Sequence, residues 1–138
     1  MRVKRIYEAP APDDGQRVLV DRLWPRGVSK SAAALALWAR DASPSNELRR
    51  EFHHDPDRWK EFQARYFAEL EGRPDSWRAI ADLARLGPVT LLYAARDATH
   101  NNAIALRNYL LKRLMGRAPK KARRPVRRAA VRARRKTS

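Results

Sequence analysis

Residues 89–94, V-T-L-L-Y-A, form a nearly unbroken apolar run that follows Gly87-Pro88 and leads into the polar stretch A-R-D-A-T-H-N-N. A strand with one wet face alternates apolar and polar residues, and this run does not. It belongs at the centre of a parallel sheet with both faces covered by helices. That requirement sets the class of fold, because a central parallel strand needs neighbours and crossover helices.

The neighbours are legible. Val18-Leu19-Val20, within 16–21, is a second apolar run and follows the turn signal Asp14-Gly15. Residues 1–7, M-R-V-K-R-I-Y, read as a short strand with a charged face, suited to a sheet edge, and 8–15 as a loop. Helix signals fill the interval. Ser29 or Ser31 caps a helix over 31–40, an alanine-rich run with Leu35, Leu37 and Trp38. Ser43-Pro44 opens a short helix to about Phe52, and Asp55-Pro56 a longer one to about Glu71. The longer one carries Trp59, Phe62, Tyr66 and Leu70 on one face, a core stripe rather than a stacking platform. Pro74 opens a fourth helix, stopped by Gly87-Pro88. Thr99 caps a last one over 100–114. The order predicts an α/β fold: a small three-layer-like domain over 1–116, with a short, mostly parallel sheet flanked by helices, followed by a disordered basic tail over 117–138.

Charge separates the two segments. The chain has 138 residues and a formal net charge of +16. Residues 117–138 hold 11 Lys/Arg and no acid, which leaves 20 basic and 15 acidic residues, or +5, in 1–116. The body is therefore only mildly basic. The tail, with Lys120, Lys121, Arg123, Arg124, Arg127, Arg128, Arg132, Arg134, Arg135 and Lys136, has little apolar surface to bury and is built to neutralise phosphates. It predicts sequence-independent nucleic-acid binding; the alternative is a solubility extension without a partner.

There is no cysteine, which excludes disulfides, thiolate catalysis and thiolate metal sites. No N-terminal apolar run resembles a signal peptide, and no stretch of about 18 apolar residues spans a membrane. These features predict a soluble, cytoplasmic protein, nucleoid-associated if the tail binds DNA. No Walker loop and no G-x-G-x-x-G is present, so no nucleotide cofactor is indicated.

In parallel sheets, ligands bind beyond the carboxyl ends of the strands. Both apolar strands exit into unusual loops. The first, D-R-L-W-P-R-G at 21–27, offers Arg22 and Arg26 to bind an anion in bidentate fashion. It also offers Trp24 to stack on a base or a guanidinium, Gly27 for close approach of the backbone, and Asp21 for orientation or acid–base work. The second offers Arg96 for charge, Asp97 and Asn101 as catalytic candidates, and Thr99 at a helix start as an anion seat. The structural alternative is that Trp24-Pro25 covers the core, the charges pair with helix ends, Gly27 makes a turn and Thr99 is an ordinary cap. His53-His54-Asp55 holds a candidate general base. Asp55 precedes Pro56 and is engaged as a cap, however, and adjacent histidines diverge on a helix. With His100 the only other histidine, no metal site is indicated.

D-R-L-W-P-R-G at 21–27, P-S-x-E-L-R at 44–49, F-H-H-D at 52–55, R-Y-x-x-E-L at 65–70 and T-L-L-Y-A-A-R-D at 90–97 with Asn101 beyond it resemble the YeaO-like family, a bacterial family of unknown function. The resemblance covers nearly all of 1–116, implies an α/β fold of this size, and supplies no reaction. One position departs from it: Asn102 stands where members often carry His, so a catalytic role for that His would be lost here. The broader superfamily includes proteins with a cysteine at the end of the last strand, where this chain has Tyr93-Ala94-Ala95.

Together these readings predict a domain that binds a small anionic, nucleotide-like ligand at the carboxyl edge of its sheet. If it is an enzyme, it is a transferase or hydrolase independent of metal and thiol, with charge stabilised by arginines. The alternative is a non-catalytic nucleic-acid-associated protein whose motif loops are structural.

Overall fold

The computed structural model describes residues 1–52 and 55–116. His53, His54 and the tail, with every basic residue named in it, lie outside the described residues. Four strands make one sheet: β1 (Arg2–Arg5), β2 (Gln16–Leu19), β3 (Leu37–Trp38) and β4 (Val89–Tyr93). Their order is β1-β4-β2-β3 and every pair is parallel. All of β4 is buried, as its unbroken run requires, and the charged β1 lies at an edge. Val18 is level with Leu91 and Leu19 with Leu92. The Val20 N–H extends the ladder to the Leu92 carbonyl at 3.1 Å. Both strands thus release their chains at the same edge.

The helix predicted over 31–40 does not form. Ser29 caps α1 (Lys30–Ala33) by accepting from the Ala32 N–H, but the helix ends after one turn at Ala34, whose φ is 50°. Leu37 and Trp38 then pair with Val18 and Leu19 as β3. The Ala36 and Ala39 N–H groups donate to the Arg17 and Leu19 carbonyls, each at 2.8 Å. Alanine favours a helix but offers little apolar area to fix one. The uncovered edge of β2 supplies backbone partners that a short isolated helix cannot match.

α2 (Asn46–Phe52) starts two residues after Pro44, the predicted first helical position. Ser45, not Ser43, accepts from the Leu48 N–H, while the Glu69 carboxylate holds the Ser45 N–H and hydroxyl. Asp55 caps a 3-10 turn by accepting from the Asp57 N–H, and α3 (Trp59–Glu71) follows. Phe62, Tyr66 and Leu70 on α3 are buried as core, while Trp59 at the start of the stripe is half-buried. Phe62 stacks on Phe52 of α2 at 4.3 Å, and the Tyr66 hydroxyl donates to the Ala42 carbonyl. α4 (Arg78–Leu86) stops at Gly87. The following Pro88 carbonyl accepts from Gln16 N–H at 3.0 Å. Gly15 beside it has φ 65°, and a Cβ there would lie 2.3 Å from that oxygen, so only glycine fits the entry to β2.

α5 (Asn102–Gly116) begins later than predicted, and Thr99 is not its cap: the Asn101 side chain accepts from the Ile104 N–H at 2.9 Å. The chain divides into a body, Met1–Arg107, and a second unit from Asn108 onward that holds the last turns of α5. Among the described residues no helix is long and apolar enough to cross a membrane.

Candidate ligand-binding cavity

At the carboxyl edge of the sheet the body holds a cavity of about 390 Å³. Its walls include Asp21 to Arg26 from the β2 exit and Ala94, Ala95, Asn101 and Asn102 from the β4 exit. The two loops singled out from the sequence therefore meet. Arg96, Asp97 and Thr99 are not among its walls.

Asp21 ties the two exits together. Its carboxylate accepts from the Ala94 N–H at 2.8 Å, and its carbonyl accepts from Trp38 Nε1 at 2.8 Å. Burial pushes the Asp21 carboxyl above its usual range, against the opposing Ala94 N–H, Asn102 amide and Arg49 charge. Asn102 Nδ2 donates to the Val20 carbonyl at 2.8 Å, so this residue braces the end of β2 from the start of α5.

The remaining loop residues sort by their bonds. The Trp24 indole N–H donates to the Val28 carbonyl at 2.6 Å, and its ring meets Trp38 edge-on with centroids 5.2 Å apart. The guanidinium that stacks on an indole here is Arg40 over Trp38, at 4.7 Å, not one over Trp24. Trp24 and Val28 pack against a core group of Ile6, Leu19, Ala33 and Leu92, so the loop is held from below. Gly27 has φ 78° with nothing within 4 Å of an added Cβ; it serves a left-handed turn. The second loop is held by its own polar groups. Asp97 accepts from the Thr99 and His100 N–H groups, which bring its carboxyl to about 2, and it meets His100 Nδ1 at 3.1 Å. Asn101 donates to the Asp97 carbonyl at 2.9 Å. The edge strand joins in through Arg5, whose Nε donates to the Ala95 carbonyl at 3.0 Å.

What the arrangement leaves over is positive charge. Arg22 and Arg26 are exposed, and their guanidinium groups make no hydrogen bond or ion pair among the described residues. Arg49 of α2 is also exposed, lines the same cavity, and is close enough to bias Asp21. Phe52 and Phe62 supply an apolar wall. Sequence reading missed Arg49, Phe52 and Phe62 as site residues. The available signal was the motif P-S-x-E-L-R, whose final Arg49 lies three residues before Phe52 and so on the same helix face. Among the described residues no group of three or more His, Asp or Glu could hold a metal ion.

A wholly parallel sheet with a charged cavity where its central strands end places the molecule among α/β domains. The chain belongs to a family described as the inactive DUF488-N3 subclade, whose model matches residues 1–127, leaving 128–138 outside the match. It is 41% identical over 110 residues to the uncharacterized protein YeaO of Escherichia coli, covering 80% of this chain and 96% of that one. It is 44% identical over 113 residues to the uncharacterized protein Mb3100c of Mycobacterium bovis, covering 80% and 92%. No solved structure matches it.

Proposed function

We propose that the domain binds a small anionic, nucleotide-like ligand in the cavity at the carboxyl ends of β2 and β4. The observation that carries this reading is the set of guanidinium groups of Arg22, Arg26 and Arg49 around one cavity, without a hydrogen-bond or ion-pair partner among the described residues. Guanidinium groups kept from internal partners at a rigid, partly apolar recess suit a phosphate or carboxylate. The positive end of the α5 dipole, starting at Asn102, adds to the same field. Asp97 and Asn101 hold the second loop, and Asp21 locks the two strand ends, so they act as supports of the cavity rather than as acid–base groups. The description of the subclade as inactive accords with binding without chemistry.

The test is a thermal-shift screen of the full chain with nucleotides, nucleosides and sugar phosphates. A ligand at about 100 times its Kd stabilises by about 2.7 kcal/mol. Phosphate-bearing compounds should raise Tm where uncharged nucleosides do not, and Arg49→Ala should remove the shift. An equal shift in Arg49→Ala, or none with any anion, would overturn the reading.

The composition of the tail favours a second, independent reading. Eleven cations without an acid give residues 117–138 a sequence-independent affinity for nucleic-acid phosphates. If about 6–10 of them engage, affinity should fall about 10³–10⁵-fold between about 50 and 200 mM salt. A flat salt dependence, or undiminished binding after removal of 117–138, would make the tail a bystander.

A further inference from the structure

A second recess, also of about 390 Å³, shares Arg22, Ser43 and Pro44 with the first as walls. Its chemistry differs. The first recess has the aromatic wall of Phe52 and Phe62 and the half-buried Asp21 carboxylate. The second is lined by Arg22, Arg40 and Arg73, with Asp41 as its acid.

Two arginines of the second recess, Arg40 and Arg73, are held in place with at most a distant carboxylate partner. Arg40 lies over the Trp38 ring at 4.7 Å, which fixes the guanidinium plane and leaves its N–H edge without a hydrogen bond among the described residues. Arg73 donates to the Asp41 and Ser43 carbonyls at 3.2 and 3.4 Å, and its nearest carboxylate, Glu69, is 4.0 Å away. Glu69 spends its two oxygens on the Ser45 N–H and hydroxyl at 2.9 and 2.6 Å. A preorganised guanidinium loses less freedom on meeting a phosphate than a free one.

We propose that the two recesses form one bipartite site for a nucleotide with two or more phosphate groups. The base lies against Phe52 and Phe62 in the first recess, Arg22 meets the phosphates at the junction, and Arg40 and Arg73 hold the outer phosphates in the second. This rests on the anionic-ligand reading above and names its ligand class. A single phosphate can satisfy Arg22 and the first recess but leaves Arg40 and Arg73 unused. A phosphate chain reaches them. Asp21 is the one acid among the walls of the first recess, and its carboxylate repels phosphate there, which leaves that recess to the base and sets the orientation.

The experiment is calorimetric titration of the full chain with a nucleoside monophosphate and the matching diphosphate, at one salt concentration. The diphosphate should bind about tenfold more tightly or better, the effect of one further charge-assisted contact. Arg40→Gln, which leaves the carbonyl bonds of Arg73 in place, should remove most of that advantage without changing monophosphate affinity. Arg40→Gln/Arg73→Gln should remove all of it, with folding checked by Tm. Equal affinity for the two nucleotides would overturn the bipartite site while leaving the anionic cavity standing. An advantage that survives in the double variant would mean that the phosphates are read elsewhere, the basic tail included. A short single-stranded oligonucleotide that displaces the diphosphate and binds more tightly would replace a free nucleotide with nucleic acid as the ligand. Failure of the monophosphate to bind at all would overturn the cavity reading itself.

Discussion

The two ends of the sheet use the same residue types for opposite purposes. At the amino end, Asp14 is buried and meets Arg17 at 2.6 Å and Lys4 at 3.1 Å, while also accepting from the Ala11 N–H. Arg17 is itself buried, and its Nε donates to the Ala33 carbonyl. Burial alone would raise the Asp14 carboxyl, but the Ala11 N–H with Lys4 and Arg17 outweighs it and lowers it to about 2. At the carboxyl end, Asp21 is pushed up by burial, and the nearby guanidinium groups of Arg22, Arg26 and Arg49 are left unpaired among the described residues. Charges that hold a fold are desolvated and matched. The charges at the open end stay at a recess without a partner among the described residues, and there the one carboxylate is spent on backbone.

The largest expected effect breaks the closed end. Asp14→Ala leaves Arg17 and Lys4 facing no carboxylate in a buried setting, and should cost about 3–5 kcal/mol in urea unfolding. It should also flatten the acid limb of stability. The folded Asp14 carboxyl, at about 2, lies below its ordinary 3.8, so its contribution is present above the unfolded value and is lost as pH falls through about 2. A variant as stable as the parent at pH 7 would mean that the cluster contributes nothing.

Arg22→Lys and Arg49→Ala sharpen the contrast from the open end. Neither guanidinium supports the fold, so unfolding free energy should stay within about 0.5 kcal/mol. Ligand affinity should fall about tenfold or more, because lysine lacks the planar fork and alanine lacks the charge. A large loss of stability in either would make these arginines structural.

The two glycine turns give a smaller difference. Gly27→Ala should cost about 1 kcal/mol, since its positive φ alone resists a side chain. Gly15→Ala should cost more in the same thermal melts, because its Cβ also meets the Pro88 backbone. Equal costs would contradict the packing at the β2 entry.

Asp21→Asn should do least to stability. An amide keeps an acceptor for the Ala94 N–H and removes a buried charge. The raised folded value means that what Asp21 contributes is present at low pH and lost as pH rises through that value. At pH 7 the variant should therefore match the parent or exceed it by up to about 1 kcal/mol. A clear loss there would show that the carboxylate itself holds the strand ends.

Features that depend on local pattern were legible in the residues alone. The unbroken run at 89–93 could only be a central strand, because no period-2 alternation provides a wet face. The charged face of the run at 2–5 suited an edge, where β1 lies. The aromatic stripe Phe62, Tyr66, Leu70 could only face the core, since helical spacing puts all three on one side. The meeting of the two loops followed once the strands were taken as parallel. Tertiary structure alone decided what depends on pairing at a distance. Leu37-Trp38 reads as helix from its alanine neighbours and becomes β3 only because the edge of β2 offers its backbone. Arg49 reads as an ordinary helix residue until α2 brings it to the cavity. Nothing in the residue types separates Asp14 from Asp21, or Arg17 from Arg22. Which carboxylate is matched and which guanidinium is left free is set by neighbours far along the chain, such as Ala94, 73 positions from Asp21, and desolvation depends on those neighbours, not on the residue type.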